Sequence, residues 1–114
     1  MSRVYKILTR RAWEEAEVSG AYIGSPLDVK DGFIHLSTAA QAGETARLHF
    51  RGQTDLIIVG FEAEAFGDAL KWEPSRSGQM FPHLFEALPV KAAVSIDDLP
   101  LDADHTPVVP ALVP

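Results

Sequence analysis

Between Asp55 and Phe61 the chain carries an unbroken apolar run, Leu56-Ile57-Ile58-Val59, rich in β-branched side chains. A short run of this kind reads as a strand buried on both faces. It belongs in the middle of a sheet, and the rest of the chain has to be arranged around it. Val4 to Leu8 supplies another strand, with Val4, Lys6 and Leu8 on one face and Tyr5 and Ile7 on the other. Leu70 to Glu73, stopped by Pro74, reads as a third. Phe81 to Phe85 is extended, and Val90 to Ile96 reads as the last strand.

Two helices stand out by their caps. Thr9 is a good N-cap, Leu8 and Trp13 fall at hydrophobic-staple positions, and Glu14 and Glu15 sit near the positive end of the dipole. Gly20 is the expected stop. Thr38-Ala39-Ala40-Gln41 is a capping box, and Ala39, Ala42, Gly43, Ala46 and Phe50 then form one helical face whose small residues let the backbone lie close to a sheet. Gly52 is expected to end this helix. The stretch 21–30, with Gly24, Ser25 and Pro26, reads as a loop leading into the turn pair Asp31-Gly32. Glu62 to Ala69 reads as a short helix or an irregular connection, and Ser75 to Met80 as a loop. Strands mixed with two capped helices predict an α+β fold: a single compact domain, residues 1–98, with mixed or antiparallel sheets and two main helices. Residues 99–114, with Pro100, Pro107, Pro110 and Pro114, predict a tail draped on the surface or partly disordered.

Composition narrows the function classes. A chain of 114 residues with 46% hydrophobic and 23% charged residues is ordinary for one globular domain. Its formal net charge of -6 and scattered Arg and Lys argue against a nucleic-acid partner, which requires concentrated basic surface. The absence of cysteine removes disulfides, thiol catalysis and cysteine-ligated zinc. Charges at Met1 to Lys6 do not suit a signal peptide, and no apolar stretch is long enough to span a bilayer, so a cytoplasmic protein without a membrane partner is expected.

Three segments carry groups capable of chemistry. In Asp31-Gly32-Phe33-Ile34-His35-Leu36-Ser37, strand alternation puts Ile34 and Leu36 on a core face. Phe33, His35 and Ser37 lie on the other face, which suits a cleft, although a half-buried histidine bonded to a carbonyl is the simpler reading of the strand alone. In Lys71-Trp72-Glu73-Pro74-Ser75-Arg76-Ser77-Gly78, a carboxylate ends a strand and an Arg-Ser-Gly loop follows. Glu73 suits a sugar hydroxyl or a developing cation, and Arg76 suits phosphate or carboxylate; the alternative is an edge strand with solvated charges. Met80-Phe81-Pro82-His83-Leu84-Phe85 surrounds His83 with apolar residues, the usual setting of a structural histidine. The four histidines include no closely spaced pair, so no metal is expected. There is no phosphate loop, dinucleotide fingerprint or nucleophile elbow.

The ordered series Val4-Tyr5-Lys6-Ile7, Trp13, Gly20 with Tyr22, Asp31 to Ser37, Gln41, Thr45-Ala46, Phe50, Gly52, Asp55-Leu56, Trp72-Glu73 and Phe81-Pro82-His83-Leu84 resembles the small bacterial family known as domain of unknown function 952, over roughly residues 3–96. That family is similar in fold to the ADP-ribosyltransferases, which grip NAD between two small sheets. The resemblance implies an enzyme, or a binder of an NAD or nucleotide-type ligand, with a cleft lined by His35 and Glu73 as the catalytic pair. Glu73 would then offset charge at the anomeric carbon. Lys6, at the first-strand position where relatives carry His, together with Ser37, Arg76, Ser77 and His83, would contact the ligand. The alternative is a non-catalytic metabolite-binding or protein-interaction module that retains the fold, favoured by Lys6 in place of His. A third reading is an oligomer joined through the apolar tail, Val108 to Val113.

Overall fold

The computed structural model describes residues 2–114, except for the side chain of Arg76. The buried run forms β4 (Leu56–Glu62), flanked by β1 (Arg3–Thr9) and β8 (Ala93–Leu99) in the order β1-β4-β8. Both pairings are antiparallel, with Lys6 opposite Val59 and Ile7 opposite Ile58. The two faces of this sheet enter two separate cores. Val4, Leu8, Ile57, Val59 and Phe61 face one, together with Trp13 and Ala16 of α1 (Arg10–Ser19). Tyr5, Ile7, Leu56 and Ile58 face the other, under Ala42 and Ala46 of α3 (Ala39–His49). The alternation expected of the first strand is thus what divides the molecule into two layers of packing.

Local signals place the helices. Thr9 caps α1 by accepting from the Ala12 N–H at 3.1 Å, and Gly20 ends it. Thr38 and Gln41 form both bonds of their capping box. Helix α3 ends at His49, with Phe50 rather than a glycine at its C-cap. Ala42 and Ala46 are fully buried, so the small face of α3 does lie directly on the sheet.

The stretch 21–30 is not a loop. Ala21–Tyr22 forms β2, which pairs with β7 (Leu88–Pro89), and Pro26–Asp31 forms the short helix α2. Pro26 occupies the first helical turn, where its missing N–H removes nothing, and Ser25 with Asp28 makes a capping box. A third sheet has the order β3-β6-β5, with β3 (Ile34–His35) and β5 (Leu70–Pro74) on either side of β6 (Met80–Leu84). Ile34 and Leu84 pack into the first core. Residues 63–69 form 3-10 turns broken at Gly67. Every strand pairing among the described residues is antiparallel.

The chain beyond β8 contacts the second core. Val109 and Leu112 pack against it, the Tyr5 hydroxyl donates to the Val113 carbonyl, and the Gly52 N–H donates to the His105 carbonyl at 2.7 Å. No helix among the described residues is long and apolar enough to cross a membrane.

Gly60 lies opposite Tyr5 where β4 is irregular against β8. A Cβ at this position would run into Ser95 Oγ and sit 2.8 Å from the Tyr5 ring. Gly60→Ala is therefore expected to destabilise the domain by about 1–3 kcal/mol in urea unfolding, through overpacking. An unchanged midpoint would mean the two strands part there without strain.

Candidate functional site

The site is built on Asp28, a residue that pattern-reading along the chain passes over. Asp28 is 2% exposed. Its Oδ2 accepts from the Ser25 N–H at 2.9 Å and pairs with Lys6 Nζ at 2.9 Å. Its Oδ1 accepts from the His35 backbone N–H at 3.1 Å and lies 2.6 Å from His35 Nδ1. Gly24 makes room for this carboxylate, since a Cβ there would meet Asp28 Cβ at 2.7 Å, and its φ of 118° suits only glycine. Burial by itself would raise the Asp28 pKa. The bond from His35, the charge and bond of Lys6 and the Ser25 N–H together outweigh burial, and they hold the carboxyl well below the usual carboxylate range.

Lys6 is also buried, at 6% exposure, and its second bond runs to the His35 carbonyl at 3.0 Å. Burial lowers its pKa, against the opposing charge of Asp28. Lys6 therefore clamps β3 and α2 onto β1 through two acceptors.

An ionised Asp28 can only accept, so His35 Nδ1–H donates to it and keeps its proton, which fixes the ring's orientation and turns Nε2 the other way. Nε2 lies 3.0 Å from Asp31 Oδ2 at the end of α2. Across the β3-β6 ladder His35 faces His83, which in turn faces Lys71 on β5. His83 Nδ1 lies 2.8 Å from Glu73 Oε1. Phe33 stacks on His83 with centroids 4.1 Å apart, and lies 4.6 Å from the His35 ring. Two carboxylate-held imidazoles thus share one aromatic plate. Such an arrangement can orient hydroxyl groups and move a proton.

Of the residues expected from the sequence, Lys6, His35, His83 and Glu73 come together, the first through Asp28. Ser37 does not join them: its hydroxyl lies 3.1 Å from Thr45 Oγ1, and its backbone bridges Tyr5 on the edge of β1. Ser77 is exposed in the β5–β6 turn with φ 57°, bonded to no member of the group. The side chain of Arg76 lies outside the described residues. Asp28, Asp31 and Phe33 are the additions. The pattern Ser25-Pro26-Leu27-Asp28, a capping box with proline in its first turn, was the signal for Asp28. No cluster of His, Asp and Glu among the described residues is arranged to hold a metal ion.

These features define an antiparallel α+β domain in which a buried Lys–Asp pair holds a half-buried histidine. The chain belongs to the family described as Protein of unknown function (DUF952), whose model matches residues 7–96. It is similar to the crystal structure of protein CC0527 from Caulobacter crescentus, with 48% identity, 94% of each chain covered and a TM-score of 0.92. The solution NMR structure of CC0527 is 50% identical, over 94% of this chain and 92% of that one, with a TM-score of 0.84. No curated protein matches this chain.

Asp28→Asn is expected to cost about 3–5 kcal/mol at pH 7 in urea unfolding, because it leaves the Lys6 charge buried without its partner. The folded pKa of Asp28 lies below its unfolded value near about 4. Its stabilising contribution is therefore complete above that value, and it is lost as the pH falls from there through the folded pKa. Unfolding midpoints measured from about pH 5 downward should fall more steeply in the wild-type chain than in Asp28→Asn; parallel curves would contradict the assignment.

Proposed function

We propose that this chain is a small-molecule-binding domain of ADP-ribosyltransferase-like fold, and that a ribosyl ligand of NAD or nucleotide type sits where His35, Glu73 and His83 meet. The observation that carries this reading is the orientation of His35. A buried carboxylate holds Nδ1, so Nε2 points away from the core beside Asp31, and Glu73 stands two strands away through His83. Carboxylates and imidazoles so placed accept and donate to vicinal hydroxyls. If turnover occurs, its class is cleavage or transfer at a ribosyl bond, with Glu73 offsetting positive charge at the anomeric carbon. Ser77 and Arg76 are assigned to the phosphate side from their place in the chain after Glu73. The ligand carries the group to be transferred, and no metal enters this reading.

A second reading, a non-catalytic module that keeps the fold, is favoured by Lys6. Its ammonium is committed to Asp28 and to the His35 carbonyl, which supports a positioning role instead of contact with ligand.

NAD or ADP-ribose at about ten times its Kd should add about 1.4 kcal/mol of stability, and so raise the melting temperature by several degrees. In Glu73→Gln the shift should shrink or vanish. If neither compound moves the transition at millimolar concentration, the ligand class is wrong. If Glu73→Gln leaves the shift intact, Glu73 has no part in the site.

A further inference from the structure

A cleft of about 740 Å3, lined in part by Lys6, runs between β1, α1 and the segment from Ala21 to Pro26. Its volume falls within the range of small-molecule sites, about 300–1,000 Å3. Leu8, Ala12, Ala16, Ile23 and Phe50 make most of its wall apolar. His35, Glu73 and His83 are not part of its lining, so this space is separate from the face discussed above.

Two donors on the lining have hydrogens without an acceptor among the described residues. Tyr22 is 7% exposed, yet its hydroxyl makes no hydrogen bond there. Lys6 has three N–H groups as an ammonium and uses them on two acceptors, Asp28 Oδ2 and the His35 carbonyl. Burial, and then the charge of Asp28, push the Tyr22 phenol above its ordinary pKa, so it keeps its proton for donation. Neither donor is an orphan in the core, where only Trp13 Nε1 and Ser95 Oγ lack partners among the described residues; once a ligand closes the cleft, a donor left unmet becomes costly, so the ligand needs an oxygen that both can reach. The charge on Lys6 is already matched by Asp28, and Glu15 of α1, on the wall, is paired with Arg11 at 3.8 Å. An anionic ligand would give up its hydration for a cleft that offers it no unmatched positive charge; a neutral one would not.

We propose that the cleft binds an uncharged small molecule with an apolar body and one carbonyl oxygen, which accepts hydrogen bonds from Tyr22 and Lys6. This site stands independently of the ribosyl reading and can fail without it.

Three isosteric probes separate the terms: acetophenone, benzoate and ethylbenzene, each titrated into the full chain and followed by amide chemical shifts. Acetophenone should perturb Leu8, Ala16, Ile23 and Gly24, and bind at least about fivefold tighter than ethylbenzene, the factor expected for one net hydrogen bond. Benzoate should bind more weakly than acetophenone. Tyr22→Phe should remove most of the acetophenone advantage while leaving ethylbenzene binding unchanged. Ala12→Leu, which fills the cleft, should abolish binding of both while the spectrum stays folded. The proposal is overturned if acetophenone produces no shift at 10 mM, if its shifts fall at His35 and Glu73 instead, if benzoate binds best, or if the three probes bind equally. Retention of the acetophenone advantage in a folded Tyr22→Phe chain would also overturn it.

Discussion

A carboxylate removed from water is costly unless its lone pairs are met by donors of the right charge and geometry. Asp28 meets this condition with donors from three separate segments: Lys6 on β1, Ser25 ahead of α2, and both the backbone and the ring of His35 on β3. Much of the surrounding structure follows from that one constraint. Strand β3 is only two residues long and has few ladder bonds of its own, yet its backbone is gripped from two sides by Lys6 and Asp28. The six-residue helix α2 would be marginal by itself, and the same carboxylate supplies one of the two bonds of its capping box. Gly24 is required because Asp28 occupies the space a side chain would need.

The same interaction links packing to chemistry. Lys6 lies on the face of β1 that otherwise feeds an apolar core, so its charge has to be neutralised where it stands. Neutralising it with Asp28 leaves that carboxylate able to orient His35, and the oriented ring then meets His83 and Phe33 across the sheet. The cluster forms a continuous path from the core of one sheet to the half-exposed edge of another. Glu73 and Asp31 mark its outer end.

Much of the fold is legible in the sequence because the relevant signals are local. The Leu56 to Val59 run, the alternation in Val4 to Leu8 and the capping residues Thr9, Thr38 and Gln41 each act over a few positions. Segment 21–30 misleads because Gly24, Ser25 and Pro26 are both loop formers and, in this order, a helix start. Tertiary pairing of Tyr22 with Leu88 and burial of Asp28 decide between the two. Within the site, His35, His83 and Glu73 can be picked out by residue type and strand position. Asp28 cannot be found that way, since its partners lie at sequence separations of seven or more apart from Ser25. Lys6 is visible as a charge on an apolar face, but its role as a clamp appears only when its acceptors are located.

The central claim is that an ionised Asp28 fixes the proton on His35 Nδ1 and thereby sets the direction of the ring. Nitrogen-15 NMR of the imidazole ring in the full chain at neutral pH reports this directly. The account predicts that Nδ1 of His35 carries a proton in the wild-type chain, and that this signature changes in a folded Asp28→Asn variant. A wild-type His35 that is protonated at Nε2 alone, with a bare Nδ1 beside Asp28, would contradict it.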